Sequence, residues 1–220
     1  YYQKNGIPLE TQARWAWHSN PNPNGYKLAD ANRPFTAYGK TVPYPTNDRS
    51  DAGKWLRENP HAMPLPQVGF VDEKDAALAI GDVAAIDQTL DLWTGELRSK
   101  FTWRGVPVEV STICAPNRDG IAVRIRSRAL RDGKLLLRVA FPRGYDLKVK
   151  NNPALDWSLP ESHQTEEIDR GAIWKHTRDD FRYFATLLSS GAPLRIDRRG
   201  PHQILVRANS SAMIFLQALR

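Results

Sequence analysis

The chain has 220 residues, of which 41% are hydrophobic and 25% charged, and a formal net charge of +7. That length is enough for one domain with its own core, and the composition excludes collagen, coiled coil and a disordered chain. No apolar run approaches the ~18 residues of a membrane-spanning helix, so no span is expected. A single cysteine, Cys114, excludes an internal disulfide and a multi-cysteine zinc site.

The charge is unevenly placed. Residues 1–100 hold 11 Lys and Arg against 12 Asp and Glu, and residues 101–220 hold the other 20 against 12. A basic half raises the question of nucleic acid. Yet Arg124, Arg126 and Arg128 alternate with Val123, Ile125 and Ser127. At a strand's period of two this is a solvated face opposite a buried one, so nucleic acid is not an expected partner. The chain begins Tyr1-Tyr2, with no basic start leading into an apolar stretch, so no signal peptide is expected. It ends in the apolar run of residues 212–219 with no closing tail, and a piece of a longer protein is expected.

Residues 1–70 carry nine of the 16 prolines: Pro8, Pro21, Pro23, Pro34, Pro43, Pro45, Pro60, Pro64 and Pro66. Proline removes a donor and fixes φ, so regular elements here are expected to be short. One helix is predicted, capped by Ser50 or Asp51, with Trp55 and Leu56 on its apolar side and Asn59-Pro60 ending it. Strands follow at residues 84–92, 96–103 and 106–113, with turns at Trp93-Thr94-Gly95 and Arg104-Gly105. Leu97, Ser99, Phe101 and Trp103 share one face of the second strand. Asn117-Arg118-Asp119-Gly120 and Arg131-Asp132-Gly133 lead into strands at 121–127 and 135–141. After a polar loop at 142–170, further strands are read at 172–177, 182–188, 194–197, 203–208 and 212–218, the last expected to be buried on both faces. The fold class is therefore all-β, a large antiparallel β-sandwich with a loop-rich N-terminal segment and one short helix. Residues 1–76 form the irregular wrapping segment and 77–220 the sandwich core of a single domain.

Common catalytic signatures are absent: no phosphate loop, HExxH, GxSxG or EF-hand loop is present. No cofactor and no metal site are expected. The histidines His18, His61, His163, His176 and His202 are scattered, which leaves only a site assembled in space. The carboxylate groups Asp72/Glu73/Asp75, Glu166/Glu167/Asp169 and Asp179/Asp180 lie in polar turns without the apolar surroundings that raise a catalytic carboxyl's pKa. Cys114, at a strand end before Pro116, is expected to be buried. Aromatic rings with a polar rim suit a sugar ring, which makes the stretch from Ala13 to Tyr26 the most suggestive. The candidate substrate-binding residues are Trp15, Trp17, His18 and Asn20, with Trp157 and His163 in the later loop; no catalytic residue is named. The bland alternative is that the two tryptophans pack the N-terminal segment onto the sandwich.

Leu90-Asp91-Leu92-Trp93-Thr94-Gly95-Glu96-Leu97, then Phe101-Thr102-Trp103, a turn, and the strands at 106–111 and 121–125 resemble the N-terminal domain of glycoside hydrolase families 65 and 95. Gly6-Ile7-Pro8-Leu9-Glu10-Thr11-Gln12, residues 15–19 and Trp55-Leu56-Arg57-Glu58-Asn59-Pro60-His61 look like the opening of bacterial relatives of that group. The resemblance implies a β-sandwich of the supersandwich type that precedes an (α/α)6 barrel carrying the catalytic groups. No family catalytic residue maps onto these positions, so the chain alone is expected to be inactive. Its implied partners are its own C-terminal barrel, the parent enzyme's oligo- or polysaccharide substrate, and a second copy in a homodimer. A periplasmic or secreted parent fits such a substrate. Two rival readings stay open. One is a stand-alone carbohydrate-binding module using Trp15 and Trp17. The other is a small all-β enzyme with His163, His176, Arg182 and Tyr183 as dispersed site residues.

Overall fold

Alternating side chains and tight turns dictate most of the chain's architecture. The computed structural model describes residues 12–45, 49–143, 163–169, 173–189, 195–208 and 211–219. Sixteen strands and two short α-helices lie among the described residues, so the chain is all-β. It divides into two compact units, residues 1–64 with 143–157, and residues 65–142 with 158–220.

In the first unit, β1 (Gln12–His18) pairs antiparallel with β4 (His61–Pro64). Strands β2 (Arg33–Ala37) and β3 (Lys40–Tyr44) form a separate two-stranded ribbon. The predicted helix is α1, Asp51–Arg57. The Ser50 hydroxyl accepts from the Gly53 N–H at 3.0 Å, satisfying one of the donors left open in the first turn. Asp51 begins the helix, and Lys54 and Arg57 stand in its last turn, so the charges complement the helix dipole. Past its end, the Asn59 side chain donates to the Trp55 carbonyl at 2.9 Å.

The second unit is a sandwich of two antiparallel sheets. The larger has eight strands in the order β11 (Gln164–Asp169), β12 (Ile173–Arg178), β13 (Phe181–Ser189), β16 (Ser211–Leu219), β9 (Gly120–Arg126), β8 (Val106–Cys114), β7 (Glu96–Trp103) and β6 (Val83–Asp91). The smaller has four, β14 (Arg195–Arg198), β15 (Gln203–Arg207), β10 (Leu135–Ala140) and β5 (Gln67–Asp72). The strand expected at 212–218 sits inside the larger sheet, between β9 and β13; its side-chain burial lies outside what is described. Arg104 (φ 48°) and Gly105 (φ 76°) both adopt the left-handed conformation that a two-residue hairpin turn demands. At the β6–β7 turn the Asp91 carboxylate accepts from the Trp93 N–H at 2.9 Å, and Gly95 (φ 72°) closes the turn.

The sheets meet through Phe70 of β5 against Phe101 of β7, ring centroids 6.2 Å apart, and through Phe141 against Trp174 of β12 at 6.0 Å. Strand β10 is the core's centre, with Leu135, Leu136, Leu137 and Val139 at most 1% exposed on its two faces. A single-turn helix that the sequence pattern did not predict, α2 (Arg128–Arg131), follows β9. Ser127 caps it by accepting from the Ala129 N–H, and Ala129 and Leu130 are buried. Arg124, Arg126 and Arg128 are exposed while Val123 and Ile125 are buried, the alternation expected of a strand with one solvated face.

Candidate functional site

The sequence-nominated residues fall in different places. Trp15, Trp17 and His18 lie on β1, followed by Asn20. Trp17 is 51% exposed and Trp15 half-buried, whereas His18 and Asn20 are buried. Asn20 is a structural tie. Its backbone N–H and side-chain amide both donate to Asn59 Oδ1, at 2.7 and 3.2 Å. Nearby, the Trp55 indole N–H donates to the Pro21 carbonyl at 3.1 Å. These bonds fasten the loop after β1 to the end of α1. His18 stands opposite His61 in the β1–β4 ladder. Burial lowers the His61 pKa, with Glu58 acting the other way and His18 adding to the fall. Trp157 lies outside the described residues.

His163 belongs to the second unit, and there the fold gathers what the sequence left scattered. His176 is on β12, paired across the sheet with Thr165 on β11 and Tyr183 on β13. The His163 and His202 rings stack with centroids 3.7 Å apart, and the His163 and His176 centroids are 5.0 Å apart. The Thr165 hydroxyl lies 3.0 Å from His176 Nδ1 and 2.9 Å from His202 Nδ1. One hydroxyl has one proton. It donates to at most one ring and accepts from an N–H of the other, so at least one of the two Nδ1 atoms carries its proton. Phe141 stacks on His176 at 5.7 Å. All three histidines are at most 4% exposed.

Such surroundings favour a neutral imidazole at His176. Burial, reinforced by His202 and Arg178, lowers the His176 pKa to about 3, and burial pushes the Tyr183 phenol up. Stacked rings carry their lone pairs in parallel planes, so His163 and His202 cannot converge on one ion. Among the described residues no group of three or more His, Cys, Asp or Glu is arranged to hold a metal. The cluster is a polar knot in the core.

The carboxylates have equally local work. Asp72 accepts from the N–H groups of Lys74 and Ala76 at 2.9 and 3.0 Å and pairs with Arg104 at 3.4 Å. The backbone bond from Ala76 leads in lowering its pKa, which keeps it ionised. Arg104 also pairs with Asp82 at 3.0 Å and lies 4.7 Å over the Trp103 ring. Cys114 corrects an expectation: it is exposed. It lies at the last position of β8, at the sheet's end, where the apolar cover stops.

The strongest surface feature is the β6 end of the larger sheet. Gln88 donates to the Ser99 hydroxyl at 3.1 Å, and Leu90 stands opposite Leu97. These residues share the face on which Phe101 and Trp103 enter the core. Strands lie ~4.8 Å apart, so a four-stranded sheet covers about half the width of an eight-stranded one. Beyond that cover the core-type face continues into the open: Ile86, Leu90 and Leu97 are exposed, and at the turn Leu92 and Trp93 reach 88% and 96%. The alternation of β7 shows in the sequence, but the uncovered stretch does not, because the relative width of two sheets has no local signature. No protein-family model matches the chain, and no curated protein shows significant similarity to it.

Proposed function

We propose that this chain is a non-catalytic β-sandwich of the supersandwich type, part of a bacterial carbohydrate-active enzyme, whose catalytic groups reside in an (α/α)6 barrel of the same protein. The observation that carries the reading is the uncovered, core-type end of the larger sheet, with Ile86, Leu90, Leu97, Leu92 and Trp93 exposed together. A contiguous apolar surface of this kind marks a protein-contact site. The barrel is its proposed occupant, because the sequence motif through Leu90–Leu97 that resembles the N-terminal domains of glycoside hydrolase families 65 and 95 is the same stretch that forms it. Asp72, held ionised by hydrogen bonds, and His176, held neutral in the core, support a non-catalytic role for these groups.

The test is the intact mass of the native protein in its source cell, together with assays of the isolated chain. A native mass tens of kilodaltons above 24.9 kDa, and no hydrolysis or phosphorolysis by the isolated chain over a panel of glycosides, are expected. Turnover by the isolated chain that is lost on replacing one of its own carboxylates would overturn the reading. A native mass near 24.9 kDa would favour the stand-alone binding module, for which exposed Trp17 is the specific observation.

A further inference from the structure

The outer face of the larger sheet, opposite the core, holds a groove of about 310 Å³ across β7, β8 and β9. Arg98, Lys100, Arg124 and Arg126 line it against only two carboxylates, Glu96 and Glu109. Strand register makes them a grid. Arg98, Ser111 and Arg124 lie side by side in one row, and Lys100, Glu109 and Arg126 in the next. With strands ~4.8 Å apart, the stems of Arg98 and Arg124 stand ~10 Å apart astride Ser111. A second hollow of about 320 Å³ shares Glu96, Ser111 and Arg124 and runs onto Ile113 and Ala122, giving the cationic row an apolar neighbour.

The groove already holds one carboxylate, its own. Glu96 accepts from Arg98 Nη2 at 2.6 Å and from the Ser111 hydroxyl, and these bonds lower its pKa, with Arg124 adding to the effect. Among the described residues Lys100, Arg124 and Arg126 make no ion pair. A solvated strand face needs only scattered charges of both signs, whereas here four cations share a concavity with two carboxylates, Glu96 already held by Arg98 and Ser111 and Glu109 standing between Lys100 and Arg126.

We propose that this groove binds an acidic oligosaccharide. Its carboxylate or sulfate group takes the place of the Glu96 carboxylate between Arg98 and Arg124, and the less polar face of the adjoining sugar lies over Ile113 and Ala122. Guanidinium groups suit both anions, since each offers paired donors to paired oxygens. Nucleic acid is the weaker occupant, because no aromatic ring lines the groove to stack a base. That the ligand is a carbohydrate rests on the function proposed above; its negative charge rests on the groove alone.

Titration calorimetry on the 220-residue chain, at low and at raised salt, tests the proposal with tetragalacturonate, a sulfated tetrasaccharide, neutral maltotetraose and a single-stranded DNA oligonucleotide. At least one acidic tetrasaccharide is expected to bind, tetragalacturonate if the site prefers carboxylate and the other if it prefers sulfate. Maltotetraose is expected not to bind, and salt to weaken the complex. Arg124→Gln should weaken it by about tenfold or more, as for the loss of a charge-assisted hydrogen bond. Glu96→Gln should tighten it by removing the internal competitor. Lys134→Gln deletes the same charge away from the groove and should leave the Kd unchanged. No binding of either acidic sugar, an equal loss in Lys134→Gln, or tighter binding of DNA would each overturn the proposal. A native mass near 24.9 kDa removes the enzyme reading and leaves this titration's answer intact.

Discussion

At the scale of single residues, the buried histidine knot is the feature with the largest measurable consequence. The His176 pKa of about 3 lies far below its ordinary value of 6.5. Between those values the unfolded chain binds a proton that the folded chain does not, so stability is fully present above about pH 6.5 and falls as the pH drops toward 3. His176 faces Thr165, Tyr183, His163 and His202, with Arg178 on its own strand, and none of these supplies a negative charge to stabilise an imidazolium. Denaturation midpoints measured from neutral pH downward should therefore fall steadily, beginning well above the range in which carboxylates titrate; a flat profile to about pH 4 would show the knot to be accessible to protons. Thr165→Val probes the same knot without a change of shape. It leaves the Nδ1 atoms of His176 and His202 without their shared hydroxyl, at a cost of ~1–3 kcal/mol for each group left unsatisfied, read as a lowered urea midpoint.

At the scale of elements, backbone conformation decides where the chain turns. Gly105 holds φ 76° in the β7–β8 turn, and a methyl group added there would meet nothing within 4 Å. Gly105→Ala therefore isolates the strain of the left-handed backbone and should cost ~1–2 kcal/mol in thermal or chemical denaturation, with the fold retained. Ser50→Ala removes the cap of α1 and should cost ~1 kcal/mol. Both elements were legible in the sequence, because their signals are local: a turn dipeptide between two alternating runs, and a hydroxyl one residue before an apolar helix face. The run from β6 to β9 could be read almost to the residue for that reason. Strands β1 to β5 could not. Pro34 and Pro43 face one another in the β2–β3 ribbon, and Pro64 ends β4. Proline is tolerated in such ribbons where its missing N–H points away from the partner strand, so a proline-rich stretch that reads as irregular forms short pairs instead. Strand β11 was hidden for another reason. Gln164-Thr165-Glu166-Glu167 is polar, and its place at the edge of the larger sheet asks for little apolar surface. The histidine knot was illegible too, since sheet register and a loop bring together residues far apart in sequence.

For the whole molecule, covered and uncovered faces of the sandwich separate stability from association. Where a face is covered, truncation opens a cavity. Leu136 is completely buried beside Val71 and Leu205, so Leu136→Ala should cost ~2–5 kcal/mol. Where the cover ends, Leu90 and Leu97 face one another across β6 and β7 and remain exposed. Leu90→Ser with Leu97→Ser removes apolar side chains that the isolated chain leaves 55% and 40% exposed, and stability should fall by about 1 kcal/mol, well below the loss at Leu136. In the proposed parent enzyme the same pair of changes acts on a buried contact if its proposed barrel docks there. The barrel should then lose thermal stability, and the amides of β6 and β7 should exchange with deuterium as fast as they do in the isolated chain. Equal protection of those amides in the parent enzyme and its double variant would place the barrel elsewhere. A large loss of stability in the isolated variant would mean instead that this end of the sheet belongs to the sandwich's own core. The contrast with Leu136 gives the experiment its internal scale, because both sites lose aliphatic side chains from one sandwich and differ in whether the chain itself covers them.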